Sequence, residues 1–153
     1  MTIGCWSNKN GQALVGENAI DLLVELNLVD AKAIPFNPSN YAQFKTWLSK
    51  ATATNMAYML SAQLAAMALN VYNEQVDGSA LVYAPGTESA NNVGFATVDD
   101  LMAEANTELG LHGSTPSGNA FRSYQEALKN ALDQANNSTS FVQAEPCAFS
   151  FVQ

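Results

Sequence analysis

Histidine, cysteine and positive charge are all scarce in this chain. Its 153 residues include one His, two Cys and six Lys or Arg, against fourteen Asp or Glu, for a formal net charge of -8. With His112 alone, zinc sites built on paired histidines are excluded, and Cys5, Cys147 and His112 have no short ligand spacing. The few cations exclude a nucleic-acid partner, because a phosphate backbone is held by clustered Lys and Arg and these are scattered. Docking on anionic lipid is disfavoured for the same reason. No apolar run reaches the length of a membrane span; the longest, Met56 to Val71, is interrupted by Ser61, Gln63 and Asn70, so no membrane insertion is expected. Thr2 to Trp6 lacks the basic start and apolar stretch of a secretory leader, so an exported form would be a processed chain or an excised domain.

Catalytic patterns are missing as well. Ser114 and Thr115 stand near His112, but no strained nucleophile turn accompanies them, and there is no glycine-rich phosphate loop. Asp99, Asp100 and Glu104 fall in the first turns of an expected helix, where they favour its dipole, and the alternating oxygen ligands of a calcium loop are absent. No catalytic residue, no metal and no cofactor are expected.

Small uncharged residues take the place of charge. Charged residues make up 13%, about half the usual share, and abundant Ala, Asn, Ser, Thr and Gln give the neutral polar surface common in extracellular bacterial proteins. The length suits one domain with a real core. Periodicity predicts a mainly α fold, a compact bundle of about five helices, spanning residues 1–153 with a strand-like tail over 140–153. The helices fall at about Asn10 to Leu28; a short one capped by Ser39; Met56 to Asn73 behind Thr54 or Asn55; one opened by Thr97 and ended by Gly110; and Asn119 to Asn136. The third is apolar nearly all round, the mark of a central helix. Ala80 to Ala84 reads as a strand, and the terminal segments, Thr2 to Trp6 included, are its expected partners in a small β element.

Two groups of residues carry the candidate interactions. Tyr41, Phe44, Trp47 and Leu48 form one stripe that suits either core packing or a ligand platform; Trp6, Tyr41, Trp47 and Tyr83 would be the rings of a carbohydrate or small-ligand site. In the tail, Ser140-Phe141-Val142-Gln143 recurs as Ser150-Phe151-Val152-Gln153. A terminal strand with Phe149, Phe151 and Val152 leaves backbone groups to be covered, by its own domain or by strand addition to another copy of the chain. Cys5 and Cys147 sit near the two ends. They are either unpaired thiols or a bond that closes nearly the whole chain into a loop, nominally worth about 4 to 5 kcal/mol on the chain-entropy account and stable only in an oxidising compartment.

The run Ala53 to Val71, Ala-Thr-Asn-Met-Ala-Tyr-Met-Leu-Ser-Ala-Gln-Leu-Ala-Ala-Met-Ala-Leu-Asn-Val, resembles a helical module repeated in large secreted and surface proteins of bacteria. Gly4-Cys5-Trp6-Ser7-Asn8-Lys9-Asn10 looks like its opening, and Val76-Asp77-Gly78, Tyr83-Ala84-Pro85-Gly86, Gly94-Phe95-Ala96-Thr97, Tyr124 to Asn130 and Pro146-Cys147 follow in the same order. The resemblance implies a secreted or cell-surface location and a non-enzymatic structural role with protein partners, copies of itself among them, as in adhesins and matrix proteins. It also favours the bond between Cys5 and Cys147. Intact mass after alkylation without reductant is then expected to be unchanged, rising by two adducts only after reduction; two adducts without reductant would contradict the bond.

Overall fold

A computed structural model of the chain describes residues 1–142. In chain order the elements are α1 (Ile3–Trp6), α2 (Lys9–Gln12), α3 (Glu17–Val24), α4 (Tyr41–Ser49), α5 (Met56–Tyr72), β1 (Leu81–Tyr83), β2 (Phe95–Thr97), α6 (Val98–Leu111), α7 (Arg122–Asn136) and β3 (Phe141–Val142). The fold is mainly α, with about half of the residues helical.

The architecture follows from α5. Ala, Leu and Met give the segment high helix propensity, and the Asn55 side chain accepts the Ala57 amide at its start. Apolar residues fall on every side of the helix, so no face can be left to water. From Met56 to Asn70 only Met59 is not buried. Helices α6 and α7 pack along one side, α3 along another, and α1 covers its C-terminal end. Leu60, Leu64 and Leu69 are fully buried, each contributing about 1.5–3 kcal/mol.

The polar residues that interrupt α5 fix the position of what surrounds it. Ser61 Oγ accepts the Val29 amide at 3.0 Å and donates to its own helix at Ala57 O, 2.8 Å. Asn136 Nδ2 donates to Gln63 Oε1 at 2.8 Å, and Gln63 Nε2 donates to Asp133 Oδ1 at 2.9 Å, joining α5 to α7. Asn70 accepts from the Trp6 indole N–H at 3.2 Å and donates to Asn136 Oδ1 at 2.8 Å, bringing α1 and α7 to one residue. Left without partners, each buried amide or hydroxyl would cost about 1–3 kcal/mol, so the wrapped order of helices is strongly specified.

The sheet has strand order β2-β1-β3, antiparallel throughout, with Val82 opposite Ala96 on one side and opposite Phe141 on the other. Val82 and Ala96 are buried against the helices, while Tyr83 faces outward over Phe95. Gly94, at φ +90°, lets the chain pass under the Tyr83 ring, where a Cβ would stand 2.9 Å from Cε2. The outer edge of β2 is closed: the Phe95 N–H donates to Asn91 Oδ1 at 3.0 Å, and the Asn91 N–H donates to Phe95 O at 2.8 Å.

Several sequence expectations change. Thr2 to Trp6 is no strand: Thr2 caps α1, whose Trp6 points into the core. The helix expected from Asn10 to Leu28 is two, because Gly16 takes extended backbone and starts α3 afresh. With the two single-turn helices α1 and α2 the count among the described residues is seven rather than five. Asn40, not Ser39, caps α4. α6 runs one residue past Gly110, the expected end, and leaves Leu111 at 68% exposure. Leu14 and Val24 are likewise exposed, and β2 was unforeseen. The tail does contribute a strand, β3; its remainder lies outside the described residues.

Gly11 packs so closely that a Cβ would stand 2.5 Å from Trp6 Cα, a backbone atom with little room to move, whereas a Cβ on Gly4 makes ordinary contact with Thr2 Oγ1 at 3.8 Å. Urea unfolding is therefore expected to show Gly11→Ala losing about 1–3 kcal/mol. Gly4→Ala, within a helical turn, is expected to gain up to about 1 kcal/mol.

Candidate functional site

His112 follows α6, at the N-terminal end of α5, and its surroundings decide what it can do. Its Nδ1 lies 3.0 Å from Glu108 Oε1, one helical turn back, and its ring stacks on Phe121 with centroids 3.5 Å apart. Glu108 is buried and its Oε1 also accepts from Gln125 Nε2 at 3.1 Å; the same amide donates to His112 O at 2.7 Å. Gln125 Oε1 accepts the Thr115 hydroxyl proton at 2.6 Å. Thr115 Oγ1 in turn accepts the Ala57 amide at 2.9 Å, and the Thr115 N–H donates to Asn55 Oδ1 at 2.8 Å. Asn55 Nδ2 donates to Gly113 O at 3.1 Å. Arg122 completes the knot, with Nη1 on Thr115 O at 3.0 Å and Nη2 on Ala53 O at 2.8 Å.

These bonds tie three helices, α5, α6 and α7, together at this end. The Thr115 hydroxyl donates to an amide, not to the imidazole, and the His112 nitrogen nearest the protein is engaged by Glu108. Cys5 is not brought near. It lies at the other end of α5, a helix of 17 residues and so about 25 Å long. Its thiol is half-buried, 3.2 Å from Met1 Sδ. Cys147, Phe149, Phe151 and Val152 lie outside the described residues.

The four candidate rings do not form one platform. Trp6 is fully buried under Asn70. Trp47 is 5% exposed, its indole N–H donating to Val29 O at 3.1 Å and its own carbonyl accepting from the Tyr58 hydroxyl. The Tyr41 hydroxyl lies 3.0 Å from both the Trp6 and the Asn8 carbonyls, fastening α4 to the amino-terminal helices. Tyr83 alone is exposed, on the sheet, beside Phe95.

A second tie holds the 87–94 loop. Glu104 accepts the backbone amides of Glu88 and Ser89 at 2.7 and 2.8 Å, and the hydroxyls of Ser89 and Tyr124 as well. Burial, reinforced by the hydrogen bond to Glu104 and its charge, raises the Tyr124 pKa well above the ordinary tyrosine value.

The structure also has a groove that the sequence did not reveal. It encloses about 780 Å³ between the 30–36 loop and α4. Tyr58 and Trp47 form the floor, and Phe36 stacks flat on Trp47 at 4.5 Å and 3°. Ala42, Thr46 and Lys50, four apart along α4, make one wall, and Lys32 and Ile34 the other. That second wall is held in shape by Asp30, whose Oδ1 accepts the Lys32 and Ile34 amides at 2.8 and 3.0 Å, and by the Phe36 amide on Leu28 O at 2.8 Å. The 42, 46, 50 spacing was visible in the sequence; the loop folding back over it was not.

Among the described residues no group of three His, Cys, Asp or Glu side chains is arranged to hold a metal ion, and no helix is long and apolar enough to cross a membrane. Comparison with protein-family models, with curated proteins and with solved structures found no match.

Two outcomes follow for the ties. Thr115→Val keeps the shape but leaves the Ala57 amide only its longer bond to Asn55 Oδ1, 3.3 Å, and Gln125 Oε1 without its donor; urea unfolding is expected to show a loss of about 1–3 kcal/mol. For Tyr124, the unfolded chain ionises near the ordinary tyrosine pKa while the folded protein keeps the proton. The stability it contributes is thus complete below about pH 10 and falls as pH rises beyond that. Unfolding curves across this range are expected to lose part of their alkaline dependence in Tyr124→Phe.

Proposed function

We propose that the chain is a structural and interaction module of a secreted bacterial cell-surface protein, acting through protein contacts rather than turnover. The observation that carries this is the use of its buried polar side chains. Of the nine buried polar residues among those described, Asn55, Ser61, Gln63, Asn70, Glu108, Thr115, Gln125 and Asn136 are bonded through their side chains to other parts of the fold, and the Ser140 hydroxyl alone has no partner there. His112, the one imidazole, belongs to the same set of ties. The sequence resemblance to modules of adhesins and matrix proteins points the same way, as does the sparse charge. Burial of Trp6 and Trp47 weighs against a carbohydrate platform built on the four rings.

The partners in this proposal include copies of the chain. Strand addition needs an open edge, and the Asn91 bonds close β2, so an added strand would run along β3, where the tail begins. Light scattering and electron microscopy of the full chain are expected to show large assemblies that disappear when Ala148 to Gln153 are removed. Two monomeric preparations at high concentration would contradict assembly, and turnover of a substrate that His112→Ala abolishes would contradict the structural role.

A further inference from the structure

We propose that the groove between the 30–36 loop and α4 docks an acidic protein segment bearing an aromatic or branched aliphatic side chain. This rests on the interaction role proposed above and names the class of partner. Charge complementarity selects the occupant. The chain carries a net charge of -8 and six Lys or Arg in all, yet two of the six, Lys32 and Lys50, line this one groove from opposite walls. The other four cavities described have carboxylates and no lysine or arginine in their linings. The one acid here, Asp30, is turned to backbone amides of its own loop.

The floor supplies the second requirement. Tyr58 and Trp47 are buried, at 3% and 5% exposure, with their polar atoms on backbone carbonyls, so the small surface they show the groove is apolar, and the half-buried Phe36 adds to it. Ile34, at 54% exposure, stands over it as an apolar lip. An aromatic or branched side chain would exclude water from this floor while flanking carboxylates reach the two ammonium groups. The walls need little rearrangement, because Asp30 and the pairing of Val29 with Pro35 already hold the loop, and a preformed site loses less entropy on binding.

The test uses the full chain and a fluorescein-labelled capped octapeptide alternating Asp or Glu with Phe and Ile. Fluorescence anisotropy should show saturable binding, weakened at least about tenfold by K32E/K50E and by A42W, which fills the groove without changing charge. Binding should also weaken at about 0.5 M salt. All three residues are exposed, and far-UV circular dichroism verifies that the variants are folded. No binding up to about 1 mM peptide, or equal binding of a peptide with Lys in place of the acids, overturns the proposal. So does unchanged affinity in both variants. Sedimentation of the unliganded chain covers the remaining occupant: an oligomer that K32E/K50E dissolves assigns the groove to a second copy. These outcomes are separable from failure of the structural role, which would appear as turnover, or as absence of tail-dependent assembly, in chains whose groove is intact.

Discussion

A helix with no polar face has to be surrounded, and α5 imposes that constraint on everything else. Four residues, its cap Asn55 and Ser61, Gln63 and Asn70 within it, carry polar groups into the interior, and each is bonded to chain outside the helix. The apolar surface supplies the driving force but says little about which helix lies where. The buried amides do that, since a slide or rotation of α7 against α5 would break the bonds of Asn136 to Gln63 and Asn70, and that of Gln63 to Asp133, together. Burial gives the stability; the polar ties give the single arrangement.

The same economy of polar groups explains the outward face. The imidazole, the buried Glu108 and the interior amides are bonded within the wrap, while the exposed Tyr83 and the aromatic groove with its two lysines lie at the periphery. Each depends on an interior tie. The 30–36 loop that walls the groove follows Val29, whose amide is bound by Ser61. The 87–94 loop is held by Glu104.

The central helix was legible from composition alone, and so were β1, the Thr97 cap and the helical stripe of Leu128 and Leu132, because each is set by local propensity or one face of burial. Ser61, Gln63 and Asn70 were legible only as interruptions of an apolar run; the partners outside their own helix lie 32 to 73 residues away, and no local pattern encodes such distances. Trp6 illustrates the opposite error. In sequence it closes the Thr2 to Trp6 segment that was expected as a strand, but burial under Asn70 and the close approach of Gly11 make it a helical turn. Leu111 and Phe121 fit their helical stripes in the sequence, yet one lies at the last turn of α6 and the other precedes α7, so both stay largely exposed. Of the candidate site, Trp47 was named for its ring, while Lys32, Ile34 and Phe36 went unnoticed because the loop that brings them over α4 is shaped by backbone bonds to Asp30.

If interior amides fix the wrap around α5, the backbone N–H groups of Ala57 and Thr115, bound by side chains rather than by a helix or a strand, belong to the most protected set in the molecule. Native-state hydrogen exchange tests this directly. Both amides are predicted to exchange only through global unfolding, with the same free energy and denaturant dependence as the middle of α5 around Leu64. Exchange at Ala57 and Thr115 by local opening, well below that free energy while Leu64 stays protected, would contradict the account.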